Sequence, residues 1–329
     1  MPRVLSGVQP SGQLHLGNYA GAIKQFVDLQ QANEMFVFVA SYHALTSLRD
    51  AAALRANVRQ VVVDYLAFGL DPARTSIYLQ QDVPEVTELA WLLSCVCPMS
   101  WMEKAVSYKD KVAKGLSANV GLFTYPILQA ADILAVDADV VPVGRDQVQH
   151  IELTRDLARR YNARFGGSMT LPEPYIIQAT AKILDLQDPG IKMSKTASSG
   201  GGIIEMLDEP SRSAKKVRSA VTDSGREVQF DPEGKPGVSN LLVIASALTG
   251  TPVPALVEQY EGRGYGDLKK ELAEVVVDFV TPFRDATHAL LDDPAGLDAI
   301  VAAGAERARE VAAVTLAEVY DRTGFLPPR

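Results

Sequence analysis

The stretch Gln9-Pro10-Ser11-Gly12-Gln13-Leu14-His15-Leu16-Gly17-Asn18 joins a short apolar strand to a segment whose apolar residues recur at helical spacing. Such a turn directs free backbone N–H groups and the positive end of the helix dipole at one point, which favours a bound phosphate. Gly12 and Gly17 allow a ligand to approach the backbone closely. His15 and Asn18 are three residues apart, so both side chains can face that ligand. The simpler interpretation is an ordinary strand–turn–helix connection with a solvent-exposed histidine.

A second stretch far along the chain, Lys192-Met193-Ser194-Lys195-Thr196, favours the phosphate interpretation. Two lysines three residues apart can clamp a polyphosphate, and the hydroxyl groups add donors. Such a run by itself is usually a solvated loop. Together, the two stretches resemble the HIGH and KMSKS boxes of class I aminoacyl-tRNA synthetases. Asn18 replaces the last histidine of the first box and Thr196 the last serine of the second, and both replacements keep a hydrogen-bonding group.

The first half of the chain alternates between strand-like and helix-like segments. Apolar strand patterns cover 35–40, 76–79 and 138–144, and helical patterns cover 55–68, 86–96 and 149–161. This alternation predicts an α/β fold with a Rossmann-type doubly wound parallel sheet, whose ligands bind beyond the carboxyl ends of the strands.

The pattern changes after about residue 196. A Gly-rich run at 198–202, which we interpret as a hinge for the lysine loop, is followed by helical patterns. These helices are predicted over 239–248, 253–260, 268–291 and 295–320, and Pro282 should kink or break the third. The sequence therefore predicts a catalytic domain over 1–196 and a smaller all-helical domain over 197–329, whose last helix could pack back on the first.

Nearly the whole chain is similar to the bacterial tryptophanyl-tRNA synthetases. The stretches that carry the resemblance are Ser6–Gly12, Tyr125–Leu134, Val141–Gln147, Ser219–Ser224, Lys235–Leu242 and Tyr260–Gly266. The resemblance implies that ATP activates L-tryptophan to tryptophanyl-adenylate and that the acyl group then passes to tRNA(Trp). It also implies a homodimer with one tRNA bridging both subunits. Residues 1–196 would bind ATP and tryptophan, and 197–329 would bind tRNA, including its anticodon.

The resemblance also assigns the ATP site. His15, Asn18, Lys192 and Lys195 would stabilise the charge that develops on the phosphates during the reaction. Magnesium would accompany ATP, held mainly by phosphate and water, and no structural metal is expected. The full set expected to contact ATP is Gln9, Pro10, Ser11, Gly17, Asn18, Gly144, Arg145, Asp146, Ile183, Lys192, Met193, Ser194, Lys195 and Thr196.

The tryptophan site follows from the same resemblance. Asp132 would accept the indole N–H, although an isolated Asp here would more simply cap a helix or form a salt bridge. Tyr125 and Gln147 would hold the α-amino group. The pocket is expected to be completed by Gln9, Leu5, His43, Gln129, Val141 and Val143. Leu5 stands where many relatives have Phe, and Gln129 where many have Met, so tryptophan affinity could differ from theirs.

Composition limits the other interpretations. The 329 residues carry a net charge of −8, which argues against a protein whose whole surface binds nucleic acid. A local tRNA track remains open, either at Lys104, Lys109, Lys111 and Lys114 or at 215–218, although each group could be a solvated helix face. No apolar run approaches the ~20 residues that span a bilayer, so we expect a cytoplasmic protein with no membrane partner. Cys95 and Cys97 are interpreted as small core residues, because no second Cys/His cluster completes a metal site.

Two other functions are compatible with these motifs. A tyrosyl-tRNA synthetase shares the fold and both boxes, but its pocket needs polar partners for a phenol hydroxyl. A tryptophan-binding paralogue with a regulatory role would be expected to lose the boxes. Both lysines, His15 and Asp132 are retained here, and the 144–147 and 260–266 stretches favour tryptophan.

Overall fold

The computed structural model describes residues 1–10, 12, 14–104, 119–176, 183–194 and 200–326. Some of the residues singled out above lie outside these ranges: Ser11, Lys195, Thr196, Lys109, Lys111 and Lys114.

The chain divides into two compact units with bounds that differ from a division after residue 196. Unit 1 comprises Met1–Gly12, Phe26–Ile177 and Pro294–Arg329, and unit 2 comprises Gln13–Gln25 and Gln178–Asp293. The first signature stretch thus belongs largely to the helical unit, and the last helix belongs to the unit that contains the sheet. The assignment of tRNA binding to 197–329 stays a prediction.

Unit 1 contains a parallel sheet, as the β–α alternation predicts. Its strands, among the described residues, are β1 Arg3–Val8, β2 Glu34–Val39, β3 Thr75–Leu79, β4 Val140–Val143 and β5 Glu173–Ile176, in the spatial order β3-β2-β1-β4-β5. All neighbours pair in parallel. The strands β1 to β4 are mostly buried, as a sheet covered on both faces requires. The strand β5 is not predicted, because this edge strand is short, contains Pro174 and exposes Tyr175 and Ile176.

Helices connect these strands. The segment 16–29, here called α1, runs through Leu16–Asn18, a π-helical part Tyr19–Ile23, and Lys24–Leu29. The following helices are α2 Ser41–Ala44, α3 Ala51–Ala67, α4 Glu85–Val96, α5 Met99–Lys104, α6 Val120–Ala135 and α7 Val148–Phe165. Short 3₁₀ turns lie at Gln80–Asp82 and Arg145–Gln147. A continuous apolar core in unit 1 joins Leu5, Phe36 and Val141 of the sheet to Ile127 of α6 and Leu157 of α7.

Among the remaining helices, the last four follow the predicted pattern within a few residues at each end, and the first is not predicted. They are α8 Pro210–Arg218, α9 Pro236–Thr249, α10 Val253–Gln259, α11 Tyr265–Leu291 and α12 Pro294–Thr323. The expected break at Pro282 is wrong, since α11 continues through it. Burial of Val276, Val280 and Phe283 on one side of α11 offsets the single hydrogen bond that proline removes. No described helix alone has the length and apolar composition to cross a membrane. Helices α9 and α10 meet that test only when taken together, and the pair is bent by 110° at the break between them.

The last helix, α12, covers the edge strand β3 within unit 1. A Cβ atom on Gly304 would lie 2.0 Å from the carbonyl oxygen of Ile77 and 2.8 Å from its nitrogen, so helix and strand touch backbone to backbone. The guanidinium of Arg307 donates to Ser76 Oγ at 3.0 Å and to the carbonyl oxygen of Thr75 at 3.3 Å. The helix therefore protects an edge that would otherwise be open to a second strand.

Replacing Gly304 tests this contact. We expect Gly304→Ala to destabilise the protein by about 1–3 kcal/mol, because the added methyl group must push α12 away from β3. Thermal unfolding measures the change. Gly266→Ala is the matched control: an added Cβ there meets no atom within 4 Å, so no loss is expected. An unchanged melting temperature for Gly304→Ala would contradict the close packing.

Candidate active site

The topology of the sheet identifies a crevice in unit 1. Strand order runs from β1 through β2 to β3 on one side and from β4 to β5 on the other, so it reverses between β1 and β4. In doubly wound sheets ligands bind at such a reversal, outside the carboxyl ends of the strands. Gln9 and Pro10 follow β1, and Gly144 begins the turn after β4. The described unit-1 residues predicted from the resemblance to contact ATP thus lie at the ends of the two strands that flank this point.

Asp132 carries a buried carboxylate that is bonded to the residue following the carboxyl end of β3. It lies on α6 with only 3% of its surface exposed. Nε2 of Gln80 donates to both carboxylate oxygens, at 2.8 Å to Oδ1 and 3.0 Å to Oδ2. Nε2 of His43 lies 2.9 Å from Oδ2, and because an ionised carboxylate can only accept, the imidazole N–H is the donor. An ionised carboxylate has about four acceptor positions, so Asp132 retains capacity for a further donor.

Burial and hydrogen bonding act in opposite directions on Asp132. Desolvation raises the pKa of its carboxyl above the ordinary value, and the bonds from His43 and Gln80 partly offset this rise. The Asp132 charge in turn contributes to the raised pKa of the buried Tyr78 hydroxyl, which is caused mainly by desolvation. The site is therefore a low-dielectric region in which one negative charge is held by two donors.

Gln80 is a fully buried residue of this site that is not predicted from the sequence. Its Oε1 accepts the backbone N–H of Tyr42 at 2.9 Å, which fixes the orientation of the amide and directs Nε2 at Asp132. The available signal was the position of Gln80: a polar residue directly after a buried parallel strand lies at the ligand-binding edge of the sheet. His150 was missed for a different reason, because its partner, the hydroxyl of Tyr125 at 3.0 Å, is distant in sequence.

Several other residues predicted to bind tryptophan share a helix face with Asp132, contact it or are buried in the core of unit 1. Tyr125, Gln129 and Asp132 are spaced at i, i+4 and i+7, so they occupy one face of α6. The rings of His43 and Tyr125 are 6.2 Å apart in an edge-to-face arrangement. Three further predicted residues, Leu5, Val141 and Val143, are buried in the same apolar core of unit 1.

The turn after β4 is built around Asp146. A Cβ on Gly144 would lie 2.7 Å from Oδ1 of Asp146, so the carboxylate occupies the space above the glycine. The backbone N–H of Gln147 donates to the carbonyl of Gly144 at 2.9 Å, and its side chain donates to Asp146 Oδ2 at 2.8 Å. Arg145 and Asp146 are exposed, and Gln147 is half-buried. The absence of a side chain at Gly144 and the exposed charges of Arg145 and Asp146 suit contact with a polar ligand.

In unit 2 the first signature stretch forms an extended segment before α1. The N–H of Leu16 donates to Ile204 at 3.0 Å, the N–H of Met206 donates to Leu14 at 3.2 Å, and His15 pairs with Glu205. The rings of Tyr19 and Phe279 are 4.7 Å apart and attach the start of α1 to α11. The stretch is therefore held by backbone pairing and by packing.

The two signature stretches approach each other within unit 2. Asn18 folds back so that its Oδ1 accepts the N–H of His15 at 3.1 Å. A Cβ on Gly17 would lie 3.0 Å from Cε1 and Nδ1 of His15 and 3.7 Å from the carbonyl oxygen of Met193. The start of α1 and the chain next to Lys192 thus face each other, as a phosphate clamp requires.

The segment that carries Lys192 is anchored by Asn240 of α9. Residues 184 and 192 pair in antiparallel fashion, and the N–H of Met193 donates to Ile183 at 3.1 Å. The Asn240 side chain satisfies both the N–H and the carbonyl of Leu184, at 2.8 and 3.0 Å. Ile183 and Met193 are buried, whereas Lys192 is exposed. The lysine is thus presented from a fixed backbone.

Three sequence interpretations need correction. Lys216 is buried and forms an ion pair with buried Asp208, so it is unavailable to a tRNA track. Cys95 is exposed rather than in the core, since it faces outward from α4, and Cys97 is half-buried. Gly202 is a packing glycine, because a Cβ there would lie 2.1 Å from the Asp185 carboxylate, and this limits its use as a hinge.

Among the described residues, no group of three or more His, Cys, Asp or Glu side chains could hold a metal ion.

The role of Gln80 can be tested by stability. We expect Gln80→Met to cost about 1.5–3 kcal/mol of unfolding free energy at neutral pH, where it removes two bonds to a charged group. Burial raises the pKa of Asp132 in the folded state, so ionisation destabilises that state as the pH rises through the raised pKa. The cost of the substitution should therefore become smaller on acidification.

Denaturant unfolding at neutral and at mildly acidic pH measures this difference. In an Asp132→Asn background, which has no carboxylate to ionise, the pH dependence of the Gln80→Met cost should disappear. An equal cost at both pH values in the parent would show that Gln80 does not act through the Asp132 charge.

Comparisons with known proteins identify the family of the chain. Residues 1–281 match the family described as tRNA synthetases class I (W and Y). The chain is 56% identical to Tryptophan–tRNA ligase 2 of Streptomyces avermitilis over 331 residues, which cover 100% of this chain and 98% of that protein. It is 51% identical to the Tryptophan–tRNA ligase of Mycobacterium leprae, over 99% of this chain and 97% of that protein. The tryptophanyl-tRNA synthetase of Campylobacter jejuni, crystallised with ADP and tryptophan, superposes with a TM-score of 0.86 at 42% identity, over 98% of this chain and 100% of that one. The chain therefore belongs to the class I tRNA synthetases, in the family of the tryptophan and tyrosine enzymes.

Proposed function

We propose that the protein is a tryptophan–tRNA ligase that acts in translation in the cytoplasm. It activates L-tryptophan with ATP to tryptophanyl-adenylate and pyrophosphate, and then transfers the acyl group to the terminal ribose of tRNA(Trp). The observation that carries the choice of amino acid is the buried Asp132 carboxylate, held by His43 and Gln80, with acceptor capacity left for one more donor. Such a group is a suitable partner for the indole N–H, the single polar group of the tryptophan side chain.

In the first step the tryptophan carboxylate attacks the α-phosphorus of ATP, and pyrophosphate leaves. The amino acid is itself the nucleophile, so the protein contributes positioning and charge stabilisation. Asp132 orients the indole ring, and Tyr125 and Gln147 are proposed to hold the α-amino group. Leu5, Val141 and Val143, which are buried, are proposed to exclude water from the ring.

The phosphates are proposed to be held mainly by residues of the two signature stretches. His15 and Asn18 would donate at the start of α1, and exposed Lys192 would neutralise the charge that grows on the departing pyrophosphate. Lys195 is expected to act with Lys192. Magnesium enters with ATP as part of the substrate complex, and phosphate oxygens and water supply most of its ligands.

A direct test is ATP–pyrophosphate exchange with tryptophan, compared with tyrosine, followed by aminoacylation of tRNA(Trp). We expect exchange with tryptophan at least ~10⁴ faster in kcat/KM than with tyrosine, because tyrosine leaves the carboxylate without its donor and misplaces a hydroxyl. A preference for tyrosine would contradict the assignment. Tryptophan binding without exchange would instead indicate a regulatory paralogue.

A sharper test uses the analogue in which sulfur replaces the indole nitrogen, because it keeps the shape and removes the donor. Asp132 keeps its bonds from His43 and Gln80 in that complex, so the loss is that of one charge-assisted hydrogen bond. We expect kcat/KM to fall by about 10- to 100-fold, which corresponds to roughly 1.5–3 kcal/mol. In Asp132→Ala the difference between the two substrates should nearly vanish. Equal activation of both by the parent enzyme would show that Asp132 does not recognise the indole nitrogen.

A homodimer is supported by an exposed apolar surface on unit 1. Trp91 is 70% exposed, and Cys95, one turn later on α4, is also exposed. Met99 at the start of α5 is 64% exposed, and Val120 at the start of α6 is 77% exposed. Large exposed apolar groups on successive elements are typical of an interface. We propose that this surface pairs with its copy in a second subunit and that one tRNA contacts both subunits.

Substitution of Trp91 tests this surface. Trp91→Glu should shift the protein from dimer to monomer in sedimentation velocity at micromolar concentration, because it places a charge in an apolar interface. Val314→Glu is a matched control: Val314 is 73% exposed on α12, outside the proposed surface, and its substitution should leave the dimer intact. A Trp91→Glu protein that sediments as a dimer would contradict the proposal.

A further inference from the structure

A cavity of about 680 Å³ lies in unit 1, between α2, α3, the end of β3 and α12. Its volume falls in the ~300–1,000 Å³ range of small-molecule sites. Leu54, Val58 and Val62 form a continuous stripe along α3 at i, i+4 and i+8, and Leu297 and Val301 of α12 face them one turn apart. These side chains form an apolar wall of the cavity.

The mouth of the cavity carries an excess of positive charge. Arg55 and Arg59 lie one turn apart on α3, and Asp298 lies across from them on α12. A guanidinium nitrogen of Arg59 is 3.5 Å from Asp298 Oδ1, in an exposed pair. Arg55 forms no hydrogen bond or ion pair with any residue that the structure describes. Arg59 and Asp298 balance each other, so the guanidinium of Arg55 remains available to a ligand.

We propose that this cavity binds an amphipathic monocarboxylate, with its apolar chain against the α3 stripe and its carboxylate on Arg55. The α3 stripe and the facing residues of α12 offer no donors, so this wall suits an alkyl chain better than a polyphosphate. One unpaired guanidinium matches one carboxylate, which it can bind through two parallel N–H donors.

The site is separate from the residues assigned to the reaction. Within the described part of the chain, no residue predicted to bind ATP or tryptophan lines the cavity. The cavity does touch the segments that hold Asp132, since Tyr42 and Gln81 line it and are the neighbours of His43 and Gln80. A ligand there could be measured with tryptophan present, so the two sites can be distinguished.

Isothermal titration calorimetry with sodium decanoate tests the proposal. The titration is carried out on the whole 329-residue chain in excess L-tryptophan, which under the proposed function occupies the tryptophan site. We expect decanoate to bind with a dissociation constant of roughly 1 mM or lower, and decanol, which has the same chain and no charge, to bind at least threefold more weakly.

Two substitutions locate the ligand. Arg55→Gln should weaken decanoate about three- to tenfold, since the lost partner is an exposed guanidinium. Val58→Trp should abolish binding by filling the cavity, and ATP–pyrophosphate exchange by this variant confirms that it is folded. Arg49→Gln removes the same charge from an exposed position outside the cavity and is the matched control.

The outcomes separate clearly. Decanoate binding that is weakened by Arg55→Gln, abolished by Val58→Trp and unchanged by Arg49→Gln supports the site. The absence of decanoate binding overturns the proposal. Binding that survives Val58→Trp, or equal affinity for decanol and decanoate, also overturns it, because either result separates the ligand from the cavity or from Arg55.

Discussion

The burial of one charge constrains much of unit 1. An ionised carboxylate removed from water costs several kcal/mol unless donors replace its hydration, and that cost is comparable with the net stability of a whole domain, ~5–15 kcal/mol. Asp132 meets this requirement with donors from two other elements, His43 on α2 and Gln80 after β3. The backbone N–H of Tyr42 in turn fixes Gln80. The position of α6 is therefore coupled to that of α2 and of the end of β3, and these elements must assemble together.

The general architecture was predictable because it depends on local patterns. Near-continuous apolar runs specify strands buried on both faces, and their alternation with helical periodicity specifies a parallel sheet. The reversal of strand order then places Gln9 and Gly144 at the ligand edge without any knowledge of side-chain contacts. The resemblance added Asp132 and His43, which lie 89 residues apart in sequence and are in contact in the structure.

Other features could not be predicted because they depend on partners that the local pattern does not identify. Gln80 and Lys216 are polar residues that sequence alone would place at the surface. Gln80 is buried against Asp132, which is distant in sequence, and Lys216 is buried against Asp208, just before the start of the same helix. Cys95 has the residue type of a core position but faces outward, because only one side of α4 is covered within the chain. A proline normally kinks or ends a helix, but the packing of α11 overrides this local preference at Pro282. The bounds of the two units likewise follow from contacts rather than from composition.

The cover that α12 provides for β3 has a consequence for synthesis on the ribosome. Arg307, which bonds to Ser76, is made 231 residues after it. At ~5–20 residues per second, the edge of β3 stays uncovered for on the order of tens of seconds while the chain emerges. During that interval the nascent sheet presents unpaired N–H and C=O groups that could pair with another nascent chain. The final closure of unit 1 therefore waits until α12 has emerged, and a chaperone that shields β3 would act in this window.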